Sequence, residues 1–307
     1  MDAVTVHENL FFLERGWLNG NHFVFNGKKK VLIDTAYVGD FEETRERIEA
    51  VGVDPADVQL IINTHCHCDH IGGNKRIHDL SGCAIAIHRI EKGFVDARDG
   101  WDTWYAFYDQ EAEFFPVHIG LEDGARVALD DLELEVIHTP GHSRGGISLY
   151  SPQGRFLISS DAVWDGDLGV LNTVVEGPQA PARAMESLER ISALDLDRIY
   201  PGHGGIIEEP AQAIRKCREK LKSLIEDPVR LGHDHLKKIM IFVLLMKRGF
   251  PKEQFFDTLL KSCWFPAVVD RYFEGRYRDT YDALMEGLLE RNIIRIEDGA
   301  YHANVAR

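Results

Sequence analysis

The chain is predicted to fold as an α/β layered domain followed by a smaller, mainly helical one. Three observations carry this reading. Short β-rich runs alternate with amphipathic helical patterns as far as about residue 210. Several of those runs end in polar loops that carry His or Asp, the usual arrangement when a site lies along the edge of a sheet. Beyond Pro210 the helical patterns dominate and the charge changes sign. Residues 211–307 hold 18 Lys+Arg against 14 Asp+Glu, a net +4, whereas 1–210 holds 17 against 36, a net −19. The domain boundary is therefore placed at 210, giving 1–210 and 211–307.

Taken in order, "NHFVF" and "KVLIDTA" read as strands, and "FEETRERIEAVG" as a helix stopped by a glycine. "VQLIINTH" is a buried strand that runs into a histidine cluster. "GNKRIHDLSG" is a short helix and "CAIAIH" another strand. The aromatic and acidic segment 92–117 reads as an insertion or flap. "LELEVIHTPGH", "RFLISSDAVW" and "DRIYPGHGG" each repeat the plan of a strand followed by a polar loop. After 210, "AQAIRKCREKLKSLIE", "DHLKKIMIFVLLMKRG", "PKEQFFDTLLKSCW" and "YRDTYDALMEGLLERN" read as helices. "IIRIEDGAYHA" reads as a hairpin turning at Asp298-Gly299. Helices closed by a hairpin resemble a winged-helix module.

Composition narrows the function classes. The chain has 307 residues, 44% hydrophobic and 28% charged, as expected of an ordinary globular protein. Five scattered cysteines do not suggest a disulfide framework and point to a reducing compartment, with the cytoplasm as the expected location. The longest apolar run, "IMIFVLL" at 239–245, is too short to span a bilayer, and no membrane association is expected. A net charge of −15 argues against nonspecific attraction to nucleic acid.

The chemistry begins at "INTHCHCDHIGG", residues 61–72. Alternate residues of an extended loop project to one side, so His65 and His67 can reach one metal together, while Asp69 and His70 can turn to a second. Imidazole and carboxylate suit Zn²⁺; iron or manganese is compatible by ligand type. Cys66 and Cys68 occupy the intervening positions and should point away as small buried hydrophobes. Three further ligand-type residues, His142, Asp161 and His203, lie on loops that follow strands. His78, His88, His118 and His138 lack such a context and are read as packing or surface residues. Asp34 is read as orienting a ligand. Gly72, Gly73, Gly141 and Gly202 are read as turn formers.

"THCHCDHIGG" at 64–73, "TPGHS" at 139–143, "SSDAVW" around Asp161 and "YPGHGG" around His203 resemble, in order and spacing, the metallo-β-lactamase superfamily, in particular its glyoxalase-II-like hydrolases. The resemblance covers about 1–210. It implies an αββα sandwich for that part. It further implies that His65, His67 and His142 hold a first metal, that Asp69, His70 and His203 hold a second, and that Asp161 bridges the two.

Two metals sharing a water lower its pKa towards neutrality and polarise the bond under attack, so the expected activity is hydrolysis by a metal-bound hydroxide. Asp69 would both hold a metal and orient the attacking water. Arg144 and Trp164 are candidates for substrate contact, and Trp101, Trp104, Tyr105, Phe107 and Tyr108 either wall a pocket or pack a flap. The expected substrate is a small ester, thioester or lactone. The alternatives are a metal-dependent endoribonuclease or phosphodiesterase, and a mononuclear-iron sulfur dioxygenase. The C-terminal helices, with their apolar faces, are expected to dock stably at the rim of the cleft or to mediate a homodimer.

Overall fold

The structure is a computed structural model and describes residues 3–307. Sequence order gives β1 (Val4–His7), β2 (Leu10–Leu13), β3 (His22–Asn26) and β4 (Lys30–Ile33), then α1 (Phe41–Ala50) and β5 (Val58–Ile62). The short α2 (Cys68–Ile71), α3 (Asn74–Ser81), β6 (Ala84–His88), α4 (Arg89–Asp96) and β7 (Ile119–Leu121) follow. These strands form one seven-stranded sheet in sequence order, antiparallel from β1 to β4 and parallel from β4 to β7. The second sheet has the order β12-β11-β10-β9-β8. Its strands are β8 (Arg126–Leu129), β9 (Leu132–His138), β10 (Ile147–Ser151), β11 (Phe156–Ser160) and β12 (Arg198–Pro201), with α5 (Ala180–Ser192) before the last.

The two sheets face each other over a core that includes Phe12, Phe23, Phe25, Ile62, Leu134, Val136, Leu149, Ile158 and Tyr200. β9 shows how the sequence does this. In "LELEVIH", Leu132, Leu134 and Val136 are buried while Glu133 and Glu135 alternate outwards. Ile48, Ile77, Ile61 and Ile85 pack the helices onto the outside of the first sheet. Leu188 and Ile191 of α5 cover the second sheet through Leu157 and Ile199. The result is the αββα sandwich.

α6 (Pro210–Glu226) lies beside α5, and its Ile214 and Cys217 join the same outer layer. α7 (Pro228–Met246) then turns towards the strand ends, followed by β13 (Phe250–Pro251), α8 (Lys252–Lys261), α9 (Trp264–Phe273) and α10 (Tyr277–Glu290). β14 (Ile294–Glu297) and β15 (Ala300–Ala303) pair through Asp298 and Gly299, both at positive φ, as a two-residue hairpin requires. α9 was not expected. Its third residue is Pro266, which the first turn of a helix tolerates because the lost N–H has no partner there.

The C-terminal part is docked, not appended. Trp104, Phe107 and Tyr108 of the 92–117 segment share one core with Leu236, Ile239, Phe255, Trp264 and Phe265. Tyr108 Oη and His235 Nε2 lie 2.6 Å apart, both fully buried or nearly so. Of Trp101, Trp104, Tyr105, Phe107 and Tyr108, only Trp101 is exposed.

Candidate metal centre

The residues singled out by the histidine motifs meet at one edge of the sandwich. Asp34 follows β4, the 65–70 cluster follows β5, His142 follows β9, Asp161 follows β11 and His203 follows β12. Ligand atoms of His65, His67 and His142 lie within 4.8 Å of one another. The same holds for Asp69, His70 and His203, and for His65, His70 and Asp161. All seven side chains are buried or nearly so. Asp161 faces both histidine groups: its carboxylate is 3.3 Å from His142 Nε2, 3.7 Å from His70 Nε2 and 3.8 Å from His203 Nε2. His203 Nε2 is 3.2 Å from Asp69 Oδ2.

The outward-facing nitrogens are fixed by the fold. His70 Nδ1 bonds Asp34 Oδ2 at 2.8 Å, and His142 Nδ1 bonds the Val170 carbonyl at 2.8 Å. Both acceptors demand a proton on Nδ1, so that in the neutral ring Nε2 carries the lone pair and faces the cluster. Asp34 also accepts from Thr64 N and Thr64 Oγ, and Thr64 Oγ in turn meets Ser160 Oγ. Thus Asp34 orients a ligand-type residue without joining the ligand groups, as its sequence context suggested. Replacing it by alanine should weaken metal affinity about 10–100-fold, the usual consequence of losing such an orienting carboxylate. A competition titration against a chelator would measure this.

Electrostatics fit a divalent cation. Burial, and then the neighbouring imidazoles, hold His65 and His67 well below the ordinary histidine range, so both stay in the neutral, lone-pair form that a metal needs. Burial acts the same way on His70 and His203, but the carboxylates of Asp69, Asp34 and Asp161 outweigh it and raise His70, and Asp161 and Asp69 raise His203. Burial would raise Asp161, yet His203, His70 and His142 hold it well below the carboxylate range. The carboxylates here require positive charge, and the buried Nε2 atoms of His65, His67 and His70 have no hydrogen-bond partner. A buried polar nitrogen without a partner is unfavourable unless something else occupies it. Five imidazoles and two carboxylates converging in this way are a donor set for zinc-like ions.

Two glycines owe their place to close packing and not to positive φ, Gly202 against the cluster and Gly72 against the backbone of residues 36–38. A Cβ on Gly202 would meet Asp161 Oδ1 at 2.1 Å, and one on Gly72 would meet Val38 N at 2.1 Å. Of the four motif glycines, Gly141 alone has a positive φ, 148°.

The cysteines turn away. Cys66 and Cys68 are buried in the apolar layer outside the first sheet, and neither joins a ligand group. The variant carrying Cys66→Ala and Cys68→Ala should therefore retain the metal content of the parent protein, measured by elemental analysis, while losing some thermal stability to the cavities it opens. His78 pairs with His118 and His88 stacks on His138, each away from the centre.

A cavity of about 270 Å³ opens over the cluster. Trp164, a candidate for substrate contact, lines it and donates Nε1–H to Asp161 Oδ1 at 3.2 Å. Arg144 is turned elsewhere. Its guanidinium contacts Asp102, lies 3.4 Å from Glu176 and sits 4.7 Å over the Phe94 ring, so it belongs to the support of the site and not to the cavity mouth. What it supports is Trp104, whose Nε1–H donates to Glu176 at 2.7 Å. The Trp104 ring stacks on His67 with centroids 3.7 Å apart. Trp104 has φ 70°, an uncommon conformation for a bulky residue that the surrounding packing must enforce. Burial raises the Glu176 carboxyl to about 8. Trp17, which carries no motif context, also lines the cavity and is parallel to the His203 ring at 5.9 Å.

The model of the family described as the metallo-beta-lactamase superfamily matches residues 15–203. A probable metallo-hydrolase of Methanocaldococcus jannaschii is 30% identical over 64% of this chain and 94% of its own. A beta-lactamase-like protein 2 homolog of Caenorhabditis elegans is 30% identical over 69% of this chain, and the match spans 62% of that protein. An acyl-coenzyme A thioesterase of Homo sapiens is 29% identical over 53% of this chain and 67% of its own. Among solved structures, a metallo-beta-lactamase family protein from Thermus thermophilus superposes with a TM-score of 0.63 at 18% identity. It covers 98% of this chain and 100% of that one, so the likeness in fold extends through the C-terminal helices.

Proposed function

The chain belongs to the metallo-β-lactamase superfamily, and from that premise we propose that it is a dinuclear metal-dependent hydrolase of a small ester or thioester. In this reading His65, His67 and His142 would hold one ion, Asp69, His70 and His203 the other, and Asp161 would serve both. Zinc is the proposed metal, because imidazole and carboxylate donors suit it. Bound there, such ions would lower the pKa of water and polarise a carbonyl. The protein's own residues do the rest. Asp34 and Val170 fix the imidazoles, Asp69 orients the attacking water, Trp104 and Trp164 exclude bulk water, and the cavity positions the carbonyl.

The observation that carries this reading is the approach of the Asp161 carboxylate to both histidine groups, at 3.3 Å to His142 and 3.7 Å to His70. A carboxylate that reaches both groups could serve two ions at once. The thioester choice draws support from the relative named as an acyl-coenzyme A thioesterase. The cavity lining, with Trp17, Trp104, Trp164, Val170, Phe242 and Leu245, suits a small organic substrate better than an RNA strand.

A panel of ester, thioester, lactone and RNA substrates, each run with zinc and with a chelator, tests the proposal. Hydrolysis of a thioester or ester that stops on chelation is the expected result. Chelator-insensitive turnover, or turnover of RNA alone, would overturn it.

A further inference from the structure

We propose that the cavity selects an amphiphilic substrate, with an apolar group on one side of the scissile carbonyl and an anionic group on the other, and that one face of α7 sets both preferences. The inference rests on the hydrolase reading for its reaction, but not for its binding geometry.

Six residues of α7 line the cavity, Ile239 at its edge and Lys237, Lys238, Ile241, Phe242 and Leu245 along one face. The last five follow the i, i+4, i+8 spacing of one helical face, 237/241/245 beside 238/242. At 1.5 Å per residue the stripe runs roughly 12 Å from Lys237 to Leu245. Its two ends differ in kind. Towards the C-terminus, Ile241, Phe242 and Leu245 are joined in the lining by Ile293 and Val305, giving an apolar wall. Phe242 is only half-buried, and its ring meets Tyr37 edge-on at 6.3 Å, so its position is fixed while one side stays open to the cavity.

Towards the N-terminus the stripe is cationic, and the count of charges decides what that means. Lys220, Lys237 and Lys238 share two carboxylates, Asp167 and Asp234. Lys238 is held by both, at 2.9 and 2.8 Å, donates to the Leu168 carbonyl at 2.7 Å and lies over the Trp164 ring. Lys220 likewise contacts both acids. Lys237 contacts Asp234 alone, at 3.3 Å, and its side chain is 30% exposed. Three cations against two anions leave one positive charge, and Lys237 is the member free to present it to a ligand. In a molecule of net charge −15, a positive rim beside an apolar wall is a local feature that a neutral or purely apolar substrate would not use.

Two probes separate the binding claim from the reaction. The first is octanesulfonate, an anion with an eight-carbon chain and no scissile bond, titrated against the intrinsic tryptophan fluorescence of the zinc-loaded full-length protein. Phe242→Ala and Lys237→Ala should each weaken its binding about tenfold, whereas octanol should lose affinity only in Phe242→Ala. The second is turnover of S-octanoyl and S-acetyl esters of 3-mercaptopropionate and of 2-mercaptoethanol, with S-octyl succinate thioester as the reversed arrangement. Phe242→Ala should reduce kcat/KM about tenfold for the octanoyl compounds and little for the acetyl ones. Lys237→Ala should do so for the anionic compounds alone, and the preferred member of the reversed pair reports which side of the carbonyl is apolar. If the variants bind octanesulfonate as the parent does, or lose all probes equally, the inference is wrong. If none of the thioesters is cleaved while the octanesulfonate pattern holds, the hydrolase reading fails and the binding inference stands.

Discussion

Replacing Asp161 by alanine is expected to remove metal and activity together. The carboxylate is within 3.8 Å of Nε2 atoms from both histidine groups, so on the proposed two-ion site its loss would strip a donor from each ion at once. It would also leave the five buried imidazoles with one carboxylate fewer to balance bound positive charge. A bridging ligand that helps ionise water and fix the spacing of two ions is worth several kcal/mol in the transition state. kcat/KM should accordingly fall by about a thousandfold or more. Asp161→Asn is the more discriminating variant. It keeps the shape and the Trp164 contact but removes the charge, and it should lose most of the metal as well. Retention of two tightly bound ions per chain in either variant would show that Asp161 does not bridge.

The second large effect concerns the C-terminal third. Removal of 211–307 is expected to prevent stable folding, not merely to alter specificity. The core that this segment completes contains Trp104, Phe107, Tyr108, Val170 and Val175 from the sandwich side, and deletion would expose all five to water. At roughly 1.5–3 kcal/mol for each large apolar side chain, the loss is on the order of 10 kcal/mol. That matches the whole stability of a typical domain. Trp104 would also lose the packing that holds its strained backbone against His67. The truncated chain should be insoluble, or should lack a cooperative thermal transition by calorimetry. A soluble truncation with a sharp transition and full metal content would show that the helices are dispensable to the fold.

The legible part of the molecule was the part whose chemistry is local. The run of ligand-type residues at 65–70 follows a buried strand, and alternation along an extended loop was enough to separate His65 and His67 from Cys66 and Cys68. Asp298-Gly299 announced its hairpin because few residue pairs accept positive φ twice. Elements stabilised chiefly by tertiary contact were not visible. β2, β7 and β8 are only three or four residues long and carry too little periodicity to be distinguished from loop. α9 hides behind Pro266, and α4 contains Gly93 in its middle. The cavity was the hardest feature to see. "IMIFVLL" reads as core at every position, yet Met240 and Leu244 are buried while Ile241 and Phe242 face the cavity. Only the docking of α7 decides which side of the run a substrate would meet. Arg144, two residues from His142, looked placed for substrate, but Glu176 and Asp102 claim it, and neither partner is close to it in sequence.

Stoichiometric titration of zinc into metal-free protein, with thioester hydrolysis followed at each addition, tests the two-metal account most directly. The predicted result is activity that rises to a plateau at two equivalents of zinc per chain and disappears when Asp161 is changed to alanine. A plateau at one equivalent, or full hydrolysis before any zinc is added, would contradict it.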